Sequence, residues 1–294
     1  MTPIFQLCES SSWPKMGAIF SIQACPDSPM PRRSFSSASR NPAAAGRNTP
    51  AGGDWLYGRH TVLAALNNPA RRLARLYLTD SGASDSVLLA AAAARQLPPA
   101  QVTAAELTRW LPPGAVHQGV ALQAAALAQP HLADFLDELP ADCGGTLLLL
   151  DQVVDPQNLG SLLRSAAAFG ALAVVMPHDR SPPLTGSVAK AASGALELVP
   201  IITVANLVQA MTRAKEAGFW CVGLDEGGSK TLDQVDLGNR IALVLGAEGA
   251  GLRRLTRDHC DLIAQLPTNP AFPTLNAAVA GAIALYQLRL SQRT

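Results

Sequence analysis

The chain is poor in the features that usually announce a chemistry. Its five cysteines (Cys8, Cys25, Cys143, Cys221, Cys260) are odd in number, scattered and without a CxxC pair. That excludes a disulfide framework and a structural zinc site and points to a reducing compartment. The five histidines (His60, His117, His131, His178, His259) show no HExxH or paired spacing, so no metal is expected. No apolar run approaches the roughly 18 to 20 residues of a membrane span; the leucine run at 147–150 is closed by Asp151 and Asp155. A net charge of +1 with 15% charged residues argues by itself neither for nor against a polyanionic partner. Finally, no GxGxxG fingerprint follows the apolar run at 146–151, and no acidic ribose ligand stands about twenty residues on, which disfavours a Rossmann oxidoreductase.

What is present is unevenly distributed. Between Met30 and Leu78 eight arginines (Arg32, Arg33, Arg40, Arg47, Arg59, Arg71, Arg72, Arg75) meet one acid, Asp54. Such a one-signed segment suits a nucleic-acid-binding arm and module, with a solvated tail or targeting peptide as the alternatives. Residues 1–52 are rich in Ser, Pro, Ala, Gly and Arg without hydrophobic periodicity, and are expected to be disordered. They read either as a transit peptide or as an extension upstream of a start at Met30. A small α/β domain is expected over 53–128. Helices are expected in GRHTVLAALNN, SDSVLLAAAAARQL and TAAELTRWL, and strands in RLARLYLT and GVALQAA. Residues 129–145, punctuated by Pro, Asp and Gly, read as a linker.

From 146 to 294 the pattern alternates strictly. Strands are expected at 146–151, 172–176, 197–201, 219–224 and 241–245, with helices at 158–169, 184–193 and 204–217. Continuous apolar strands alternating with helices predict a parallel sheet covered on both faces. The last helix, LNAAVAGAIALYQLRL, is apolar nearly all round and is expected to be buried in the core or across a subunit interface.

Three loops after these strands concentrate the polar groups. In DPQNLGSLLR, Asn158 is placed to cap a helix, and Arg164 follows in its second turn, where a helix N-terminus and a guanidinium could grip a phosphate. In LVLGAEGAGL, Glu248 is the one charge among three glycines, read either as a carboxylate at the next helix N-terminus or as a group holding Arg164 or a substrate hydroxyl. In LPTNPAFPTLNAAVA, a proline-rich loop ends at Thr274, Leu275 and Asn276, which open the last helix.

These three motifs, in this order, resemble those of the SpoU-type RNA ribose 2'-O-methyltransferases of the SPOUT superfamily. LYGRHTVLAAL and GAVHQGVAL resemble the family's substrate-binding module, and lie nearer to its large-subunit ribosomal RNA guanosine methylases than to its tRNA enzymes. The resemblance implies a knotted (trefoil) parallel-sheet domain preceded by a small α/β domain, S-adenosylmethionine as methyl donor, a homodimer, and a structured RNA substrate, with ribosomal RNA favoured over tRNA. By the same resemblance Asn158, Arg164, Glu248 and Asn276 fall on the catalytic motif positions. Gly246, Leu266 and Leu275, with Thr274 beside them, fall where the family holds the cofactor. Thr274 replaces a usual Ser, Ala278 a second Ser, and Pro270 a usual Gly. Arg59, His60, Arg71, Arg72 and Arg75 are the candidate phosphate contacts of the first module. A cytoplasmic, bacterial-type enzyme is expected, or a mitochondrial one if the extension is a transit peptide. The competing readings are a tRNA methylase and a non-catalytic RNA-binding or ribosome-assembly factor with the same fold.

Overall fold

The computed structural model describes residues 54–292 except Leu237, Pro270, Phe272 and Pro273. The expected extension, with Arg32, Arg33, Arg40 and Arg47, and the Pro270 replacement lie outside the described residues. The first lobe runs β1 (Asp54–Tyr57), α1 (Arg59–Asn67), β2 (Leu73–Leu78), α2 (Ser86–Ala94), β3 (Pro99–Gln101), α3 (Ala104–Trp110) and β4 (Val120–Ala124). Its sheet has the order β1-β4-β2-β3, with β4 antiparallel to both neighbours and β2 parallel to β3. Local chemistry sets its helix starts. Asp85 caps α2 by accepting from Val87 and Leu88 N–H, and Thr103 with Glu106 forms a capping box on α3. The unexpected strands are β1, beside the N-terminal edge of the described chain, and β3, which has three residues and little room for alternation.

A short helix, α4 (Leu132–Asp137), occupies the expected linker. The second lobe then continues as β5 (Gly145–Leu150), α5 (Pro156–Phe169), β6 (Ala173–Pro177), α6 (Gly186–Ala192), β7 (Ile201–Val204), α7 (Leu207–Glu216), β8 (Trp220–Leu224), β9 (Lys230–Thr231), β10 (Arg240–Leu245), α8 (Arg254–Asp258), β11 (Leu262–Gln265) and α9 (Ala277–Ser291). The strands form one sheet of order β7-β6-β5-β10-β8-β11-β9, and every pairing is parallel. β10 enters between β5 and β8, and β11 between β8 and β9, so late strands are inserted among earlier ones. The strand expected at 197–201 begins only at Ile201, because Ala195–Glu197 form a 3-10 turn. α7 starts at Leu207 because Asn206 accepts from Val208 and Gln209 N–H.

Alternation along β5 assigns the sheet's two faces. Leu148 and Leu150 join the core built with α5, α6 and α9, whereas Leu147 and Leu149 join the core built with α7. The first of these cores also contains Val62, Ala65 and Leu66 of α1 and Leu56 and Leu76 of the small sheet, so the hydrophobic interior runs unbroken from one lobe into the other. At that junction α6 sits directly on β1. A Cβ on Gly186 would lie 2.2 Å from the Trp55 carbonyl oxygen, so nothing larger than glycine fits. The last helix is not apolar-buried all round: Ala278, Gly281, Ala284, Leu285 and Leu288 face the core, while Val279, Ile283, Tyr286 and Leu290 are exposed. Among the described residues no helix is long and apolar enough to cross a membrane.

Candidate active site at the carboxyl edge of the parallel sheet

Leu150, Leu245, Leu224 and Ala264 lie in register across β5, β10, β8 and β11. The residues that follow them therefore leave one edge of the sheet side by side, about 4.8 Å apart per strand. This carboxyl edge is where open α/β sheets bind ligands. The loop after β5 leads into α5, whose cap is Asp155 rather than Asn158: its carboxylate accepts from Gln157 and Asn158 N–H, and Pro156 takes the first helical position. The sequence reading of Asn158 as the cap is thus corrected, and its side chain is released for another task.

That task is a ring of three polar side chains drawn from three loops. Asn158 Nδ2 donates to Glu248 Oε2 at 3.1 Å, Asn276 Nδ2 donates to the same oxygen at 3.2 Å, and Asn276 Nδ2 also donates to Asn158 Oδ1 at 3.1 Å. Asn276 Oδ1 meanwhile caps α9 by accepting from Ala278 and Val279 N–H. Since those partners are obligate donors, the orientation of the Asn276 amide is fixed, and with it the direction of every bond in the ring. One Glu248 oxygen is held by two amides, and the other accepts no hydrogen bond from a described residue.

Glu248 does not stand at a helix N-terminus, since α8 begins only at Arg254, and it does not hold Arg164. Arg164 is exposed and makes no hydrogen bond or ion pair with any described residue. The reason is helical geometry: α5 starts at Pro156, so Arg164 lies in its third turn. Six residues past Asn158 amount to about 9 Å of rise and roughly 240° of rotation. The backbone of Arg164 is therefore set back from the ring and from the helix N-terminus, and its guanidinium bonds neither.

Gly246 and Leu266 follow directly on β10 and β11, with only β8 between those strands. Gly246 is demanded by its own loop: a Cβ there would lie 2.2 Å from the Gly251 carbonyl carbon, where the chain doubles back through the Ala247–Gly251 bridge. Leu266 is half-buried, and Thr274 and Leu275 are exposed beside the start of α9.

The candidate RNA contacts divide. Arg72, Arg75 and His60 are exposed, and Arg59 is partly committed to Asp85, whose carboxyl that guanidinium holds below the usual range. Arg71 is corrected outright: its side chain is 3% exposed and stands 3.6 Å from Glu197, itself 2% exposed, in a joint between the lobes that Asn68 completes by donating to Glu197 at 2.8 Å. A count of signs cannot tell such a residue from its exposed neighbours.

Sequence reasoning also missed Asp151. It is 1% exposed and accepts from Arg253 twice, from Nε at 2.6 Å and from the backbone N–H at 3.1 Å, tying the root of the Asn158 loop to the far end of the Glu248 loop. The available signal was a carboxylate placed directly behind four leucines, a position that demands a partner. Among the described residues no group of three or more His, Cys, Asp or Glu could hold a metal ion.

Fold and site together define a class: a two-lobed α/β protein whose parallel sheet carries a three-loop polar site at its carboxyl edge. The model of the SpoU rRNA methylase family matches residues 145–286, and that of the RNA 2'-O ribose methyltransferase substrate-binding domain matches 55–130. A Pseudomonas aeruginosa protein named 23S rRNA (guanosine-2'-O-)-methyltransferase RlmB is 40% identical over 244 residues, 81% of this chain and 96% of its own. A protein of the same name from Ralstonia nicotianae is 40% identical over 238 residues, 79% of this chain and 93% of its own. The fold also matches the SpoU methyltransferase AviRb from Streptomyces viridochromogenes, solved with AdoMet, with a TM-score of 0.69 at 23% identity over 83% of this chain and 92% of that one. The chain belongs to the SpoU rRNA methylase family.

Proposed function

We propose that this chain methylates the ribose 2'-hydroxyl of a guanosine in large-subunit ribosomal RNA, using S-adenosylmethionine. The observation that carries the reading is the Asn158–Glu248–Asn276 ring, which joins three sequence-distant loops at the edge where ligands bind. The names of the relatives at 40% identity support the substrate. When bound, S-adenosylmethionine supplies a methyl group on a sulfonium. Gly246, Leu266, Thr274 and Leu275 fit that donor: they are neutral, and the leucines offer apolar surface for a purine, with no cation that would mark a phosphate site.

Methyl transfer is an in-line displacement in which the protein chiefly supplies alignment. The attacking 2'-hydroxyl must shed a proton, and a guanidinium, charged at all working pH values, is unsuited to take it. Arg164 is instead assigned to the phosphate next to the target ribose and to the negative charge growing on its oxygen, while a phosphate oxygen or water receives the proton. Glu248, oriented by two amides, positions the ribose through its remaining oxygen. The exposed row Val279, Ile283, Tyr286 and Leu290, spaced along one flank of α9, supports a homodimer covering it.

The test is methyl transfer to unmodified 23S rRNA transcript, read by mass spectrometry of the nucleosides. One 2'-O-methylguanosine is expected, and transfer to tRNA alone would replace this substrate with the competing one. Arg164→Lys keeps the charge but loses the fork, so its rate should fall at least about tenfold; near-full activity would remove Arg164 from the grip on phosphate and growing oxyanion.

A further inference from the structure

A second polar cluster shares the carboxyl edge of the sheet. Gln152 follows β5 and Arg180 follows β6, and both are non-glycine residues held at positive φ, 64° and 61°. Long side chains adopt this conformation only at a cost, so two neighbouring loops carry unfavourable backbone while turning their side chains to one place. The Gln152 amide oxygen accepts there from Arg180 Nη1 at 3.1 Å and from Arg253 Nε at 3.3 Å. The atom facing them is oxygen because neither guanidinium can accept. Two like charges are thereby kept within about 6 Å of each other, an arrangement that an anion would relieve. Asp151 is the one carboxylate bonded to either guanidinium among the described residues, and it is buried beneath Arg253. Both arginines are exposed on their outer sides, so the cluster presents net positive charge and two planar forks to solvent.

Its place follows from strand order. The three residues leave β6, β5 and β10, consecutive in the sheet. Gln152 and Arg253 lie on the very loops that carry Asn158 and Glu248, whereas Gly246 and Leu266 lead away on the β10-β8-β11 side. We propose that Gln152, Arg180 and Arg253 form a clamp for one backbone phosphate of the RNA, on the opposite side of the catalytic ring from the methyl donor. The clamp rests on RNA being the substrate, as proposed for the catalytic ring. Arg180 and Arg253 grip the anion, and Gln152 is a positioning residue that holds the two forks in a common orientation.

The experiment measures filter binding of unmodified 23S rRNA transcript to the full chain over a range of salt concentrations, with calorimetric binding of S-adenosylmethionine alongside. Among the described residues the Arg180 guanidinium bonds only Gln152, so Arg180→Ala leaves the fold intact. It should weaken RNA binding about tenfold and lower the slope of log affinity against log salt by about 0.7 to 0.9, one phosphate's worth, with donor affinity unchanged. Gln152→Asn suits the left-handed backbone but is too short to bridge; it should keep or raise the melting temperature and still lose RNA affinity. Unaltered RNA affinity and salt slope in Arg180→Ala overturns the clamp. So does lost donor affinity with RNA binding intact, which would assign the cluster to the donor's carboxylate. Wild-type chain that binds RNA but methylates none would instead overturn the methylase reading, and the salt slope is measured independently of it.

Discussion

Asn276 does two jobs with the two ends of one amide, and they can be separated. Its oxygen accepts from Ala278 N–H at 2.9 Å and Val279 N–H at 3.3 Å, and its nitrogen reaches Asn158 and Glu248. Asn276→Ala removes both functions; losing a helix cap costs about 1 kcal/mol, which lowers the melting temperature of a chain this size by about 2–4 °C. Asn276→Ser keeps an oxygen for the cap but has no donor long enough to reach Glu248, so its melting temperature should stay within about 1 °C of wild type. Its single-turnover methyl transfer should nevertheless fall by about 100-fold, the scale on which a misplacement near 1 Å acts. Asn276→Asp also keeps the cap, but places a carboxylate where the amide stood 3.2 Å from Glu248 Oε2; even at the dielectric of water that repulsion is roughly 1 kcal/mol. Thermal melts and rapid-quench assays on the three variants decide the matter. A Ser variant with wild-type transfer rate, or one as destabilised as the Ala variant, would refute the division of labour.

Two further outcomes follow from buried groups. Arg71→Ala strands Glu197 in the interlobe joint and should cost about 3–5 kcal/mol, whereas the double variant Arg71→Met, Glu197→Leu should recover most of it; denaturant titration of both measures this, and an undiminished single variant would show that the joint is wet. Burial pushes the thiols of Cys221 and Cys260 up to about 12 from the ordinary 9.0. Because the folded state then holds these protons more tightly, their contribution to stability is intact below about pH 9 and is lost as pH climbs toward 12. Iodoacetamide at about pH 8 should label neither peptide until the chain is denatured, as mass spectrometry would show.

What could be read beforehand was whatever a short window contains. The leucine run of β5 declares itself, because burial on both faces is a local event; the start of α5 is just as local, but Asn158 offers the same capping chemistry as Asp155, so the expected helix begins too late. The ring could be approached only through family resemblance, since Asn158 and Asn276 are 118 positions apart and nothing local to either specifies the other. Arg71 shows the opposite failure. Its sequence surroundings are those of a surface cation, and only the packing of α1 and its neighbours against the second lobe removes it from water. Short strands such as β9 and β11 escaped because so few residues carry too little alternation to register.

The insertion of β10 and β11 between strands laid down earlier also fixes when the protein can first act. A chain emerging from the ribosome at about 5–20 residues per second exposes Asn158 well before Asn276 exists. Until β10 is released, the middle of the sheet is missing a strand. Until the last helix follows, Glu248 has no second amide and the loop expected to cradle the donor is unformed. On the function proposed above, the nascent polypeptide cannot close the ring of Asn158, Glu248 and Asn276 until the segment that carries Asn276 has left the ribosome.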